Sequence, residues 1–308
     1  MGSCDAPRGA SRSSRSIPTT DSMEGTQMPA PDAITCDKLA KLIGTARCPV
    51  VLDLRRADAR DTEPRLIPSA RWLAEDEIAP AALSELARSL DRPVVVLCAE
   101  GHGRSQGVAA WLRHEGVAAE YLEGGMAAWL AAGLPLVTTT RITGHDPQGR
   151  SLWVTRARPK IDRIACPWLI RRFIDPRAVF LFVAPAEVPA VAERFGAMPF
   201  DVEGVFWSHR GEDCTFDTLL KETRLSIPAL DRLALIVRGA DTARLDLAPE
   251  AAGLLAASLG LSRMYSDDLE QLDAGLQLYD AFYRWARDAT DEIHNWPTNA
   301  RGTGRSAT

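Results

Sequence analysis

The sequence predicts an α/β domain with a parallel sheet flanked by helices, followed by a mostly helical α+β domain. Three observations carry that expectation. Short β-rich runs alternate with helical windows from Cys36 to Val137. A polar segment containing Gly144, Pro147 and Gly149 interrupts the pattern at 138–150 and reads as a linker. Beyond it, strands are few and long helical windows dominate to about residue 290. The first domain is therefore set at 34–137 and the second at 151–290. At ~150 residues per domain, a chain of 308 residues also favours two domains over one.

The elements follow in order. Residues 1–30 contain one Ile (Ile17) and no Leu, Val, Phe or Trp, too little apolar surface to offset ordering entropy, so they read as a disordered leader. Val50–Leu54 and Val94–Cys98 are β-branched runs and predict buried strands. Pro80–Leu90 and Ser105–His114 have helical spacing, Ala119–Leu122 is strand-like, and Gly125–Ala132 is a short helix. In the second domain, Leu152–Thr155 and Ala178–Val183 predict strands around a helix at Asp162–Phe173. Helices follow at Thr215–Lys221, Pro228–Arg238, Pro249–Gly260 and Asp267–Arg287, and residues 297–308 form a polar tail. There is no internal repeat, so the domains are not copies of each other.

Composition removes several functions. The 46% hydrophobic and 25% charged content is a globular balance, which excludes a fibrous or wholly disordered chain. A net charge of -5 argues against nucleic acid as a partner, because polyanion binding needs a basic face. No apolar run approaches the ~18 residues of a membrane helix. Arg8, Arg12 and Arg15 have no apolar core behind them, so no signal peptide is read. The cysteines at 4, 36, 48, 98, 166 and 214 form no C-x-x-C pair, which suggests reduced thiols in a cytoplasmic protein.

Cys98 ends a strand and is followed by Ala99-Glu100-Gly101-His102-Gly103-Arg104-Ser105 and then a helix. Two glycines in such a turn let successive N–H groups point inward, and the helix N-terminus adds partial positive charge. The product is an anion cradle that lowers a thiol pKa. Arg104 can close the ring as a planar fork. A strand-end cysteine can also be inert packing, and the glycines and Arg104 weigh against that reading. His102 reads as a solvent-facing loop residue, and Glu100 must point outward if a dianion is to bind. Asp53 and Arg55 read as a brace of the strand end.

With those residues in view, the first domain resembles a rhodanese domain over 34–137. The resemblance is carried by Val51-Leu52-Asp53-Leu54-Arg55, by Leu66-Ile67-Pro68-Ser69-Ala70, and by Tyr121-Leu122-Glu123-Gly124-Gly125-Met126-Ala127-Ala128-Trp129. It implies a sulfurtransferase in which Cys98 carries a persulfide, held by the amides of Ala99 to Gly103. The spacing departs from the family: Cys98 and Arg104 are six positions apart, where the usual loop has five. That longer loop is similar to the C-x5-R loop of phosphatases sharing this fold and has room for a tetrahedral oxyanion.

The second domain opens with Arg156, Arg158, Lys160 and Arg163, four cations in eight residues ahead of a helix. Asp162 is expected to cap that helix, and Cys166, beside Pro167, to sit near its positive end. The alternative is a charged turn and a core cysteine. His209, Cys214 and Asp241 are weak candidates for metal ligands, without a recognised spacing. Otherwise His209 and Asp241 hydrogen-bond in a polar pocket. This domain resembles the C-terminal domain of chromate-resistance proteins. The carrying residues are Ile161 to Ala165, Trp168 to Pro176, Pro199-Phe200-Asp201, His209-Arg210-Gly211, Cys214-Thr215-Phe216 and Ile236 to Thr242. It implies a role in tolerance of chromate.

Three functions compete on this reading. One is a sulfurtransferase with catalytic Cys98 and Arg104. Another is an oxyanion-sensing or regulatory protein whose cradle is not catalytic. The last is a phosphatase-like or arsenate-reductase-like enzyme, which needs a general acid that Asp58, Asp61 or Glu63 would have to supply. No cofactor is called for. The expected partners are a small sulfur donor and acceptor or a tetrahedral oxyanion, with room for a protein partner.

Overall fold

The computed structural model describes residues 1–2 and 32–292. The expected leader and polar tail fall mainly or wholly outside the described residues.

The first domain is built from β1 (Ala33–Ile34), α1 (Cys36–Leu42), β2 (Val50–Asp53), α2 (Ala57–Thr62), β3 (Ala70–Trp72), α3 (Pro80–Ser89), β4 (Val94–Leu97), α4 (Gly103–His114), β5 (Ala119–Leu122) and α5 (Gly125–Ala131). The five strands form one sheet in the order β1-β5-β4-β2-β3, and every pair is parallel. β2 and β4 are buried on both faces, which is why they read as continuous apolar runs. Alternate side chains serve two cores. Leu52, Val94 and Val96 pack with Leu83 of α3 and with Val108 and Leu112 of α4, whereas Val51, Val95 and Leu97 face the opposite core.

The second domain comprises β6 (Leu152–Arg156), α6 (Asp162–Leu169), β7 (Val179–Val183), α7 (Val188–Phe195), β8 (Met198–Pro199), α8 (Thr215–Thr223), α9 (Pro228–Asp241), α10 (Ala251–Met264) and α11 (Asp268–Asp288). Its small parallel sheet has the order β7-β6-β8. The helix expected at Asp162–Phe173 is continuous from Asp162 to Ile174, with its last five residues in π form. Pro167 lies inside α6 and offers no N–H, and the chain widens into a π turn at Ile170–Ile174. All of α6 except Arg163 is buried, with Trp168 stacked on Phe216 and against Tyr279 and Tyr283.

The two domains share a core. One hydrophobic cluster runs from Ile34, Leu39 and Trp129 of the first into Trp168, Phe173 and Tyr283 of the second. Ser69 N–H donates to the Phe173 carbonyl at 2.7 Å, and Thr138 N–H to that of Thr223 at 2.8 Å. Gly44 sits where a side chain would collide, since a Cβ there would lie 2.4 Å from the Phe173 ring. The segment 138–150 is thus a packed connection in which Ile142 is buried, not a loose tether. Among the described residues, no helix is long and apolar enough to cross a membrane.

Candidate functional site

Cys98 follows β4 and is buried beneath the start of α4. Its Sγ lies 3.2 Å from the Ser105 Oγ. The loop is oriented from behind: the Met126 N–H donates to the Cys98 carbonyl and the Ala127 N–H to the Ala99 carbonyl, both at 2.9 Å. With its carbonyls held by α5, the loop turns amides toward the sulfur. Burial pushes the thiol pKa up, but the Ser105 hydroxyl and the amides of Ser105, Glu100 and His102 outweigh it, and the net shift is downward.

Two glycines make this arrangement possible. Gly101 has φ +72° and Gly125 has φ +56°, both left-handed. A Cβ on Gly101 would lie 2.7 Å from the Leu122 carbonyl oxygen, and one on Gly125 would lie 2.4 Å from that of Cys98. Gly103 opens α4 with free space around it. Glu100 and His102 both point outward, with side-chain exposures of 72% and 77%, and face each other.

Arg104 departs from expectation. It does not close the ring over Cys98: its Nε donates to the Leu54 carbonyl at 2.7 Å, and its Nη1 donates to Glu75 at 3.0 Å. The open carbonyl beyond β2 and the Glu75 carboxylate draw the long side chain away from the loop. Asp53 and Arg55 form the expected brace, a buried pair with Arg55 also donating to the carbonyls of Glu63 and Arg65. Asp58 and Glu63 make local contacts, to Ala59 and Arg65.

A second polar centre lies in the second domain. Asp162, Asp201, His209 and Asp241 come from four separate stretches of chain and meet around one imidazole. The His209 Nε2 is 3.5 Å from Asp162 Oδ2, 3.4 Å from Asp201 Oδ1 and 3.2 Å from Asp241 Oδ2. Asp162 is fully buried, and the Thr215 N–H donates to its Oδ2 at 2.5 Å. Its Oδ1 is buried without a partner among the described residues. Asp201 is also held by Arg156 and Arg163, at 3.1 and 3.2 Å. Burial, only partly offset by His209, raises the Asp162 carboxyl to about 7, while the facing carboxylates of Asp162, Asp201 and Asp241, as acceptors, raise His209 to about 12. Ile161 (φ +32°) and Asp201 (φ +50°) are both strained here.

Of the three candidate ligands, His209 and Asp241 meet and Cys214 does not. Cys214 is the N-cap of α8, with Asp217 returning to its backbone N–H, and burial pushes its thiol far up. Asp162 is the first residue of α6 and not its cap; it faces Thr215 and His209. Cys166 lies within α6, and burial pushes its thiol far up, so no helix end activates it. Asp201 was missed as a ligand type because it lies eight residues from His209, outside any short motif. A cleft of about 800 Å³ between the domains, lined in part by Arg71, Trp72, His145 and Arg177, includes none of these residues.

The fold and the Cys98 loop define a rhodanese-like domain, and residues 35–132 match the family model for the rhodanese-like domain. Residues 153–286 match that for "ChrB, C-terminal domain". Protein ChrB of Cupriavidus metallidurans is 30% identical over 245 residues, spanning 75% of this chain and 72% of that protein. The chain belongs to the ChrB family. Among solved structures it is similar to a rhodanese-related protein from Thermoplasma volcanium, with 25% identity over 34% of this chain and 96% of that one, at a TM-score of 0.28. A rhodanese-like domain protein from Staphylococcus aureus is 28% identical over 32% of this chain and 90% of that one, at a TM-score of 0.27.

Proposed function

We propose that the protein is a sulfurtransferase working through a Cys98 persulfide, in the service of chromate tolerance. The observation that carries this is the setting of the Cys98 sulfur, with the Ser105 hydroxyl at 3.2 Å and a thiol pKa that this hydroxyl and the backbone N–H groups of Ser105, Glu100 and His102 bring down despite burial. A thiolate held this way attacks the outer sulfur of a donor such as thiosulfate. A new S–S bond forms, the donor's S–S bond breaks, and sulfite leaves with that bond's electron pair. A nucleophilic acceptor such as cyanide then takes the outer sulfur and returns the thiolate. The inward amides stabilise the anionic sulfur at each stage. The link to chromate comes from the resemblance of the second domain to chromate-resistance proteins.

Two observations favour this reading over its competitors. Arg104 is paired with Glu75, which leaves a tetrahedral dianion without the charged fork it needs. A phosphatase-like reaction needs an acid over Cys98; Asp58 and Glu63 are engaged locally, and Asp61 is exposed on α2. The test is thiosulfate-to-cyanide transfer by the full chain. Cys98→Ser abolishes it, because a serine hydroxyl does not ionise in this cradle and cannot carry sulfane sulfur. Cys166→Ser and Cys214→Ser retain it. Wild-type turnover in Cys98→Ser would refute the assignment.

A further inference from the structure

We propose that Asp162, His209 and Asp241, with Asp201 beside them, form a binding site for one first-row divalent transition metal in the second domain.

The contacts within the cluster argue for an ion. A single Nε2 faces three carboxylate oxygens at 3.2–3.5 Å. One ring nitrogen carries at most one proton, and one N–H cannot serve three acceptors in different directions. Charge-assisted N–H···O⁻ bonds are also shorter, at ~2.7–2.9 Å. Ligand atoms bound to a shared ion at ~2.0–2.2 Å, by contrast, stand roughly 3–3.5 Å apart. The observed separations match the edges of a coordination polyhedron better than they match hydrogen bonds.

Asp162 supplies an independent observation. Its carboxylate is fully buried, and while Oδ2 takes the Thr215 amide, Oδ1 has no partner among the described residues. A buried carboxylate oxygen left unpaired is costly, and a cation removes that cost. His209 is 40% exposed, which gives an ion a way in.

The donor chemistry sets the class of metal. One imidazole with two or three carboxylates suits Mn²⁺, Fe²⁺ or Zn²⁺ better than a site for Ca²⁺ or Mg²⁺ built wholly of oxygen, or a thiolate site for soft ions. Cys214, which caps α8, takes no part.

The experiment uses the full chain, stripped with a chelator, desalted and titrated separately with Mn²⁺ and Zn²⁺. Mn²⁺ is followed by the loss of its free-ion EPR signal, and Zn²⁺ by calorimetry. Wild type is expected to bind one ion per chain and to melt at a higher temperature when loaded. His209→Ala and Asp241→Asn, chosen because both side chains are partly exposed, should weaken binding at least ten-fold, while Cys98→Ser should bind as wild type does. If neither ion binds to wild type, or both variants bind unchanged, the proposal is overturned. Loss of binding in Cys98→Ser would place the ion elsewhere and also overturn it.

Discussion

The Ser105 Oγ stands 3.2 Å from the Cys98 Sγ and 3.2 Å from the His102 carbonyl oxygen, so its single proton can turn from that carbonyl to the sulfur when the thiol ionises. Ser105 is the third residue of α4, and the same turn brings its amide to the sulfur. The reactivity of the thiol therefore depends on where α4 begins.

This relationship sets a pH dependence. The Cys98 pKa lies below that of an ordinary thiol, whereas those of Cys36, Cys48, Cys166 and Cys214 are all raised. As pH falls from alkaline values, Cys98 should be the last of these to lose its thiolate. Among the described cysteines, iodoacetamide near neutral pH should thus label Cys98 first. A hydrogen bond to a charged group contributes roughly 1.5–3 kcal/mol, or about 1–2 pKa units, so Ser105→Ala should move the alkylation midpoint upward by about that much. The pH profile of labelling, read by peptide mass spectrometry, checks it. An unmoved midpoint would mean that the amides alone set the pKa.

Arg104 should behave as a brace. Its bond to the Leu54 carbonyl ties α4 to the end of β2, and Leu54 is buried. Truncation to Ala leaves that carbonyl unpaired at a cost of ~1–3 kcal/mol. The melting temperature should fall by several degrees, while kcat/KM for thiosulfate changes less than ten-fold. An unchanged melting temperature with a large kinetic loss would restore Arg104 to the anion site.

The glycines should separate sharply. Gly125→Ala forces a Cβ against the Cys98 carbonyl at a left-handed φ, and Gly101→Ala does the same against the Leu122 carbonyl. Each should abolish sulfur transfer and destabilise the domain. Gly103→Ala meets open space at the first position of α4 and should keep both activity and stability. Turnover and thermal melts of the three variants give the comparison.

Much of the first domain was legible because its signals are local. Buried parallel strands read as apolar runs, and the cradle is contiguous from Cys98 to Ser105. The short β1, β3 and α2 were not legible. β3 has only three residues, two of them half-buried, and α2 buries none of its side chains. The direction of Arg104 was hidden too, because its partners Leu54 and Glu75 lie 50 and 29 residues away. In the second domain, helices of nine to twenty-one residues were visible from their periodicity. The cluster at His209 was not, since its four members are spread over eighty residues from Asp162 to Asp241 and meet only in the fold.

The most direct test of the central claim is the covalent state of Cys98 after exposure to thiosulfate. The full chain, incubated with thiosulfate and freed of excess donor, should carry one added sulfur on the peptide containing Cys98. Cyanide should then remove that sulfur as thiocyanate in equal amount. A Cys98 peptide that gains no sulfur, in a protein that still turns thiosulfate and cyanide over, would contradict the account.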